Sequence, residues 1–321
     1  MFFNSTNIMF LSALNLSMIL SMSSNSILMI WMMIETSNLC LIPIMMTKKM
    51  KNSESIMKYF IIQSITSMMI MFSMIMIFMN MNLQIMITLS IIMKMGGVPF
   101  HNWIVSMIEG MEYKSMLILM TIMKMPPMMM FSLMNIKNLE MILLSMIMAP
   151  IFMINQNSFK KMMCFSSIFN LSMMLFISFE MKMWMMLICI YTMIMTILFK
   201  EMETNKIKYM NQMMVNSNKM NKMELWISML SLGGMPPLTG FLNKMMVMKI
   251  MLNKKEIILL VTLIIMSTMV LYVYMTYLYS CMMFYLSMNK NFMKLTTLKK
   301  SNSLVFNLMM LPMFMLNKMF N

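Results

Sequence analysis

The sequence predicts an all-α polytopic membrane protein of about eleven transmembrane helices, and three observations carry that prediction. Of the 321 residues, 60% are hydrophobic and only 11% are charged, against roughly 25% charged in an ordinary soluble domain. The apolar residues arrive in runs of about twenty, the length needed to cross a hydrocarbon core of about 30 Å. Those runs are continuously apolar and lack the alternation of a membrane barrel, so only helices satisfy their backbone in lipid.

In chain order, the first run spans 8–22 and is short. The second, 26–46, carries Glu35 midway, and the third is 56–79. The fourth, 83–105, contains Lys94 and the break Met95-Gly96-Gly97-Val98-Pro99; the fifth, 115–134, contains Lys124 and Pro126-Pro127. Runs at 139–155, 162–178 and 181–199 follow. The ninth, 225–248, holds Leu232-Gly233-Gly234-Met235-Pro236 and Lys244; 257–285 and 303–317 complete the set. The two Gly-Gly-x-Pro stretches stand 137 residues and five helices apart and hold four of the six glycines. An odd number of helices between two copies inverts one relative to the other, the arrangement of transporters whose broken helices meet near the midplane. Gly and Pro interrupt the helical ladder, and the freed carbonyls can face a wet cavity but not lipid. A simple packing kink is the other account of each break.

All 25 basic residues are Lys and all 10 acidic residues are Glu, giving a net charge of +15. With 69 Met and alanine only at Ala13 and Ala149, this composition points to an extremely AT-rich gene in which ATA is read as Met, hence to a mitochondrial genome. The first 47 residues carry no Lys or Arg, so no targeting peptide is expected. Lysines crowd the even-numbered connections: Lys48, Lys49 and Lys51; Lys160 and Lys161; Lys200, Lys206, Lys208, Lys219 and Lys222; and Lys290, Lys294, Lys299 and Lys300. The odd ones hold chiefly Lys137, Lys182, Lys254 and Lys255. The positive-inside tendency then places the N-terminus and even loops on the matrix side, and the C-terminus on the intermembrane-space side.

Several chemistries are excluded. Cys40, Cys164, Cys189 and Cys281 are far apart and His101 is the only histidine, so no metal, haem, iron–sulfur or nucleotide site has its ligands, and no G-x-G-x-x-G occurs. Met spread over every segment reads as a substitute for Leu on lipid-facing helices rather than as a metal stripe. The lysines are dispersed among loops, which speaks against nucleic acid as a partner and for anionic lipid or neighbouring subunits.

Four charges lie inside the apolar runs: Glu35, Lys94, Lys124 and Lys244. A Lys at the helix centre costs about 2.5 to 3.5 kcal/mol even on insertion scales. Such residues should therefore face the protein interior or water, where an amine can exchange protons and Glu35 can govern whether Lys94 is charged. Each has a plainer account as well: the lysines as snorkelling or structural residues, Glu35 as a protonated interhelix hydrogen-bond donor. His101, just past the first break, reads equally as an interfacial residue or a proton relay.

These residues carry a resemblance. Glu35 to Pro43, Thr47 to Met50, Lys58 to Phe60, Lys94-Met-Gly-Gly-Val-Pro-Phe-His-Asn-Trp103, Phe165 to Ile168, and Leu230-Ser-Leu-Gly-Gly-Met-Pro-Pro-Leu-Thr-Gly-Phe241 are together similar to the mitochondrial NADH:ubiquinone oxidoreductase chain 2 family, the antiporter-like membrane subunits of respiratory complex I. The likeness runs from about residue 26 to about 250. It implies two inverted five-helix repeats, 8–134 and 139–285, each with a broken helix, plus a C-terminal helix at 303–317. It also implies proton translocation in the membrane arm of complex I, coupled to electron transfer from NADH to ubiquinone, through Glu35, Lys94, Lys124 and Lys244. NADH, FMN, iron–sulfur clusters and ubiquinone would be bound elsewhere in the assembly and no cofactor by this chain; the partners would be other membrane-arm subunits. The sequence departs from the family at Ile104-Val105-Ser106, where a Pro and an acidic residue are usual, and at Asn170 and Ser172, where relatives place His and Gly. Asn170 can orient a water but not titrate. A non-pumping structural subunit of the same arm and a stand-alone cation/proton antiporter are the alternative functions.

Overall fold

The computed structural model describes residues 5–46, 50–79, 84–134, 138–209, 212 and 219–287. The expected helix at 303–317 lies outside them, as do Lys48, Lys49, Lys137, Lys290, Lys294, Lys299 and Lys300. The protein divides into two compact units, Met1–Ala149 with Cys164–Trp184, and Pro150–Met163 with Met185–Asn321.

The first unit is built on α1 (Ser5–Ser23), α2 (Ile27–Met45), α3 (Met50–Phe78), α4 (Gln84–Met95), α5 (Asn102–Ile108), α6 (Tyr113–Met120) and α7 (Met125–Met134). α8 (Leu139–Ile154), α9 (Phe159–Ile177) and α10 (Met181–Thr204) each cross a unit boundary, and α11 (Lys219–Gly233), α12 (Thr239–Asn253) and α13 (Ile257–Ser287) belong to the second unit. Among the described residues six stretches are long and apolar enough to span a bilayer: Ser5–Ser23, Ile27–Met45, Lys51–Phe78, Tyr113–Met134, Met181–Thr204 and Ile257–Tyr279.

α3 shows how this sequence folds in lipid. Its exposed stripe is apolar, with Met57, Ile61, Ile65, Met68, Phe72 and Ile75, while the opposite stripe buries Asn52, Ser55, Tyr59, Gln63, Thr66, Ile70 and Ser73. Both stripes follow the helical period, so the polar face points inward. Hydroxyls along such faces donate to carbonyls of their own helix, as Ser17, Ser37, Ser73, Ser90 and Ser145 do, so these hydroxyls ask nothing of lipid. Methionine is not confined to lipid-facing positions: Met116, Met120, Met128, Met130, Met146 and Met195 are fully buried.

Several expected boundaries shift. The run 83–105 is α4 and α5 with residues 96–101 between them, and 225–248 is α11 and α12 separated by residues 234–238. The run 115–134 breaks at a 3-10 turn, Ile122–Lys124, between α6 and α7. Pro126 and Pro127 have no N–H for the carbonyls one turn back, so the ladder fails upstream of the prolines. Lys51, Lys160, Lys161, Lys200, Lys219 and Lys222 are helical rather than in loops, because α3, α9, α10 and α11 extend beyond their apolar runs.

Both broken helices end in the same cap. Gly96 (φ 72°) and Gly234 (φ 77°) are left-handed. The Gly96 and Gly97 amides donate to Met93 and Ile92, and the Gly234 and Met235 amides to Ser231 and Leu230, the paired bonds of a Schellman motif. The structurally equivalent glycines are therefore the first of one Gly-Gly pair and the second of the other, one residue out of the register that the sequence repeat suggests.

Candidate functional site

In the first unit, α2 and the C-terminal end of α4 bring Glu35 and Lys94 together. Lys94 Nζ donates to Glu35 Oε1 at 2.9 Å, with the lysine side chain 2% exposed and the glutamate 29%. Side chains also reach the carbonyls at the end of α4: Lys94 O accepts from Gln63 Nε2 at 3.2 Å, and Met93 O, which already takes the Gly96 amide, accepts from Trp103 Nε1 at 3.0 Å. The break is thus held by side chains of α3 and α5.

Lys124 sits in the 3-10 turn, buried, and donates to Ser167 O on α9 at 2.9 Å, with Cys164 close by. Among the described residues no carboxylate pairs with it. A cavity of about 20 Å³ lies between the two lysines; Lys94 and Lys124 both line it, with Ser37, Asn38, Tyr59, Gln63, Trp103 and Pro127. That is room for a water molecule. Tyr59 OH donates to Asn38 Oδ1 at 3.0 Å.

His101 caps the start of α5 from the end of the break and is 8% exposed. Its imidazole lies near the Pro99 backbone and packs on Phe165 with ring centroids 5.9 Å apart; it does not line the cavity. Asn170, on α9, is half-buried.

In the second unit Lys244, on α12, is 5% exposed and reaches back across the break, donating to Gly233 O and to Ser267 O on α13 at 3.4 Å. Its position in the break differs from that of Lys94: one lysine precedes its left-handed glycine, the other follows. A Cβ on Gly234 would stand 2.5 Å from Lys244 Cε and 2.7 Å from Nζ, so this glycine makes space for the amine.

The family model described as NADH:quinone oxidoreductase/Mrp antiporter, TM, matches residues 24–271. NADH-ubiquinone oxidoreductase chain 2 of Anopheles gambiae is 34% identical, over 94% of this chain and 94% of that protein. The chain belongs to the NADH-ubiquinone oxidoreductase chain 2 family. The Locusta migratoria member of the family is 33% identical, over 86% of this chain and 85% of its own. A chain from a structure of respiratory complex I from Thermus thermophilus superimposes with a TM-score of 0.75 at 16% identity, covering 86% of this chain and 70% of that one. A chain from a Mrp complex from Dietzia sp. gives 0.72 at 10% identity, covering 84% and 59%. At these identities the structures establish the antiporter-like fold.

Sequence reasoning missed the polar groups around the two lysines. Asn38 follows Glu35 by one helical turn, and Tyr59 and Gln63 stand one turn apart on α3, so a helical wheel would have found them. It also missed the Glu201 carboxyl, on α10, beside that of Glu224 on α11; only the fold brings that pair together.

Proposed function

We propose that this chain translocates protons within the membrane arm of complex I, using Glu35, Lys94, Lys124 and Lys244 with water to couple proton transfer to electron flow from NADH to ubiquinone. Membership of the family makes it a subunit of NADH:ubiquinone oxidoreductase. The observation that carries the pumping role is the cavity shared by the Glu35–Lys94 pair and Lys124. Two amines on one cavity, only one of them ion-paired among the described residues, form a donor and an acceptor for a single proton. At 2.9 Å the attraction between Glu35 and Lys94 is about 1.5 kcal/mol in bulk water and about 6 kcal/mol at an effective dielectric of 20; the exposure of Glu35 favours the lower part of that range. Weakening this pair releases the Lys94 proton toward Lys124.

His101 belongs to the same proposal as a relay beyond the break, and Lys244 as the proton-holding amine of the second unit. Two inverted five-helix repeats, 8–134 and 139–285, with eleven crossings and the N-terminus in the matrix, are the finer architecture we assign. The matched glycine caps and the lysine distribution support it. Exposed Lys200, Lys206 and Lys208 would meet anionic lipid or neighbouring subunits of the mitochondrial inner membrane. In assembled complex carrying Lys94→Met and Lys244→Met, coupled proton transfer should fall sharply while assembly survives. Intact pumping would instead assign the chain a purely structural role, and ion exchange by the purified chain alone in vesicles would assign it stand-alone antiport.

A further inference from the structure

The cavity between Lys94 and Lys124 holds two buried polar atoms that the proton path does not use. Asn38 and Gln63 are each 6% exposed, and both line the cavity. Gln63 spends its Nε2 on the Lys94 carbonyl and Asn38 its Oδ1 on the Tyr59 hydroxyl. Gln63 Oε1 and Asn38 Nδ2 are left buried without a hydrogen-bond partner. The orientation of Gln63 is fixed by chemistry, because a carbonyl only accepts and the NH2 end must face Lys94 O. One acceptor and one donor therefore remain, in a space of about 20 Å³, and a buried water needs at least two polar partners.

We infer that Asn38 and Gln63 form a built site for one ordered water that relays the proton between Lys94 and Lys124. Resting on the proton path proposed above, this names the groups that position its water. Water has two lone pairs and two hydrogens. Asn38 Nδ2 donates to one lone pair, and one O–H donates to Gln63 Oε1. One lone pair and one hydrogen remain. The free lone pair accepts from the charged Lys94 ammonium and the free hydrogen points at the neutral Lys124 amine. In a concerted step the Lys94 N–H bond breaks as an O–H bond forms, while the water's other O–H breaks as a Lys124 N–H forms. Water is regenerated and one proton has moved. The neutral amides cannot titrate; they are positioning residues that leave the water only the two hydrogen bonds a relay requires. Gln63 also ties the site to the broken helix through the Lys94 carbonyl, so a movement of the α4 end moves the water's acceptor with it.

The test uses assembled complex I carrying Gln63→Met or Gln63→Glu in sealed vesicles, with protons translocated per NADH oxidised measured over a pH series. Gln63→Met, which removes the acceptor, is expected to lower coupled transfer at least fivefold. Gln63→Glu in its protonated form keeps a donor for Lys94 O and an acceptor for water, so it should restore transfer at low pH and lose it as the pH rises. A merely structural role would not produce that profile. If Lys94→Met and Lys124→Met abolish transfer while Gln63→Met stays within twofold, the water site is wrong and the proton path stands. If the lysine variants are themselves silent, the path is wrong and the relay falls with it. Should Gln63→Met fail to assemble, a density map of the unaltered complex decides: water within hydrogen-bond distance of Gln63 Oε1 and Asn38 Nδ2 is expected, and a dry cavity overturns the inference.

Discussion

Gly234→Ala is expected to unseat Lys244. The left-handed backbone alone does not demand glycine, since Lys206 (φ 52°) and Lys255 (φ 59°) adopt it on exposed turns, at about 1 to 2 kcal/mol each. What distinguishes position 234 is the space a Cβ would need, 2.5 Å from Lys244 Cε and 2.7 Å from Nζ. The lysine tip must leave, forfeiting its bond to Gly233 O. A hydrogen bond from a charged group is worth about 1.5 to 3 kcal/mol, so occupancy of the seat should drop about ten- to hundredfold. The backbone cost adds to folding rather than to seating, and should appear as a lower yield of assembled complex. Gly233→Ala is the matched comparison: φ there is ordinary and the nearest atom to its Cβ would be Tyr274 Cδ2 at 3.4 Å, for a cost below about 1 kcal/mol. The assay is proton transfer per assembled complex, with assembly followed separately by native gel. Equal loss in both variants, or a silent Gly234→Ala, would refute the idea that this glycine exists to admit the amine.

Three further outcomes follow from the same geometry. Glu35→Gln leaves the Lys94 charge buried without its carboxylate and should cost about 1 to 3 kcal/mol, discounted from a fully buried pair because Glu35 is partly exposed. Adding Lys94→Met should recover part of that loss in a thermal-stability comparison of the assembled complexes. Tyr59→Phe removes the donor to Asn38 Oδ1 and should lower thermal stability by about 0.5 to 1.5 kcal/mol; no change would mean that the Asn38 amide finds another partner. Gly110→Ala drives a Cβ into the Lys51 carbonyl of α3, helix backbone that cannot rotate away, and is expected to reduce assembly more than Gly233→Ala does, as read by complex yield.

The membrane class was legible because lipid demands continuous apolar runs, and Glu35, Lys94, Lys124 and Lys244 stood out because charge at that depth is costly. Their partners were not legible. Lys94 meets Glu35 across 59 residues of sequence and Lys124 meets Ser167 across 43, and no local pattern encodes such pairings. The Gly-Gly-x-Pro repeat revealed two breaks but gave their alignment one residue out, because the capping glycine is chosen by φ and by neighbouring space, which the letters do not record. Asn38 and Gln63 went unnoticed for a related reason. Single amides inside apolar helices look incidental until α2, α3 and α4 converge on one cavity.

Lys124→Met offers the most direct test, because that amine has no carboxylate partner among the described residues and its replacement leaves the Glu35–Lys94 pair untouched. In sealed vesicles of assembled complex, protons translocated per NADH oxidised should fall well below the unaltered value while the complex remains intact. An unchanged ratio would mean that no proton passes from Lys94 to Lys124.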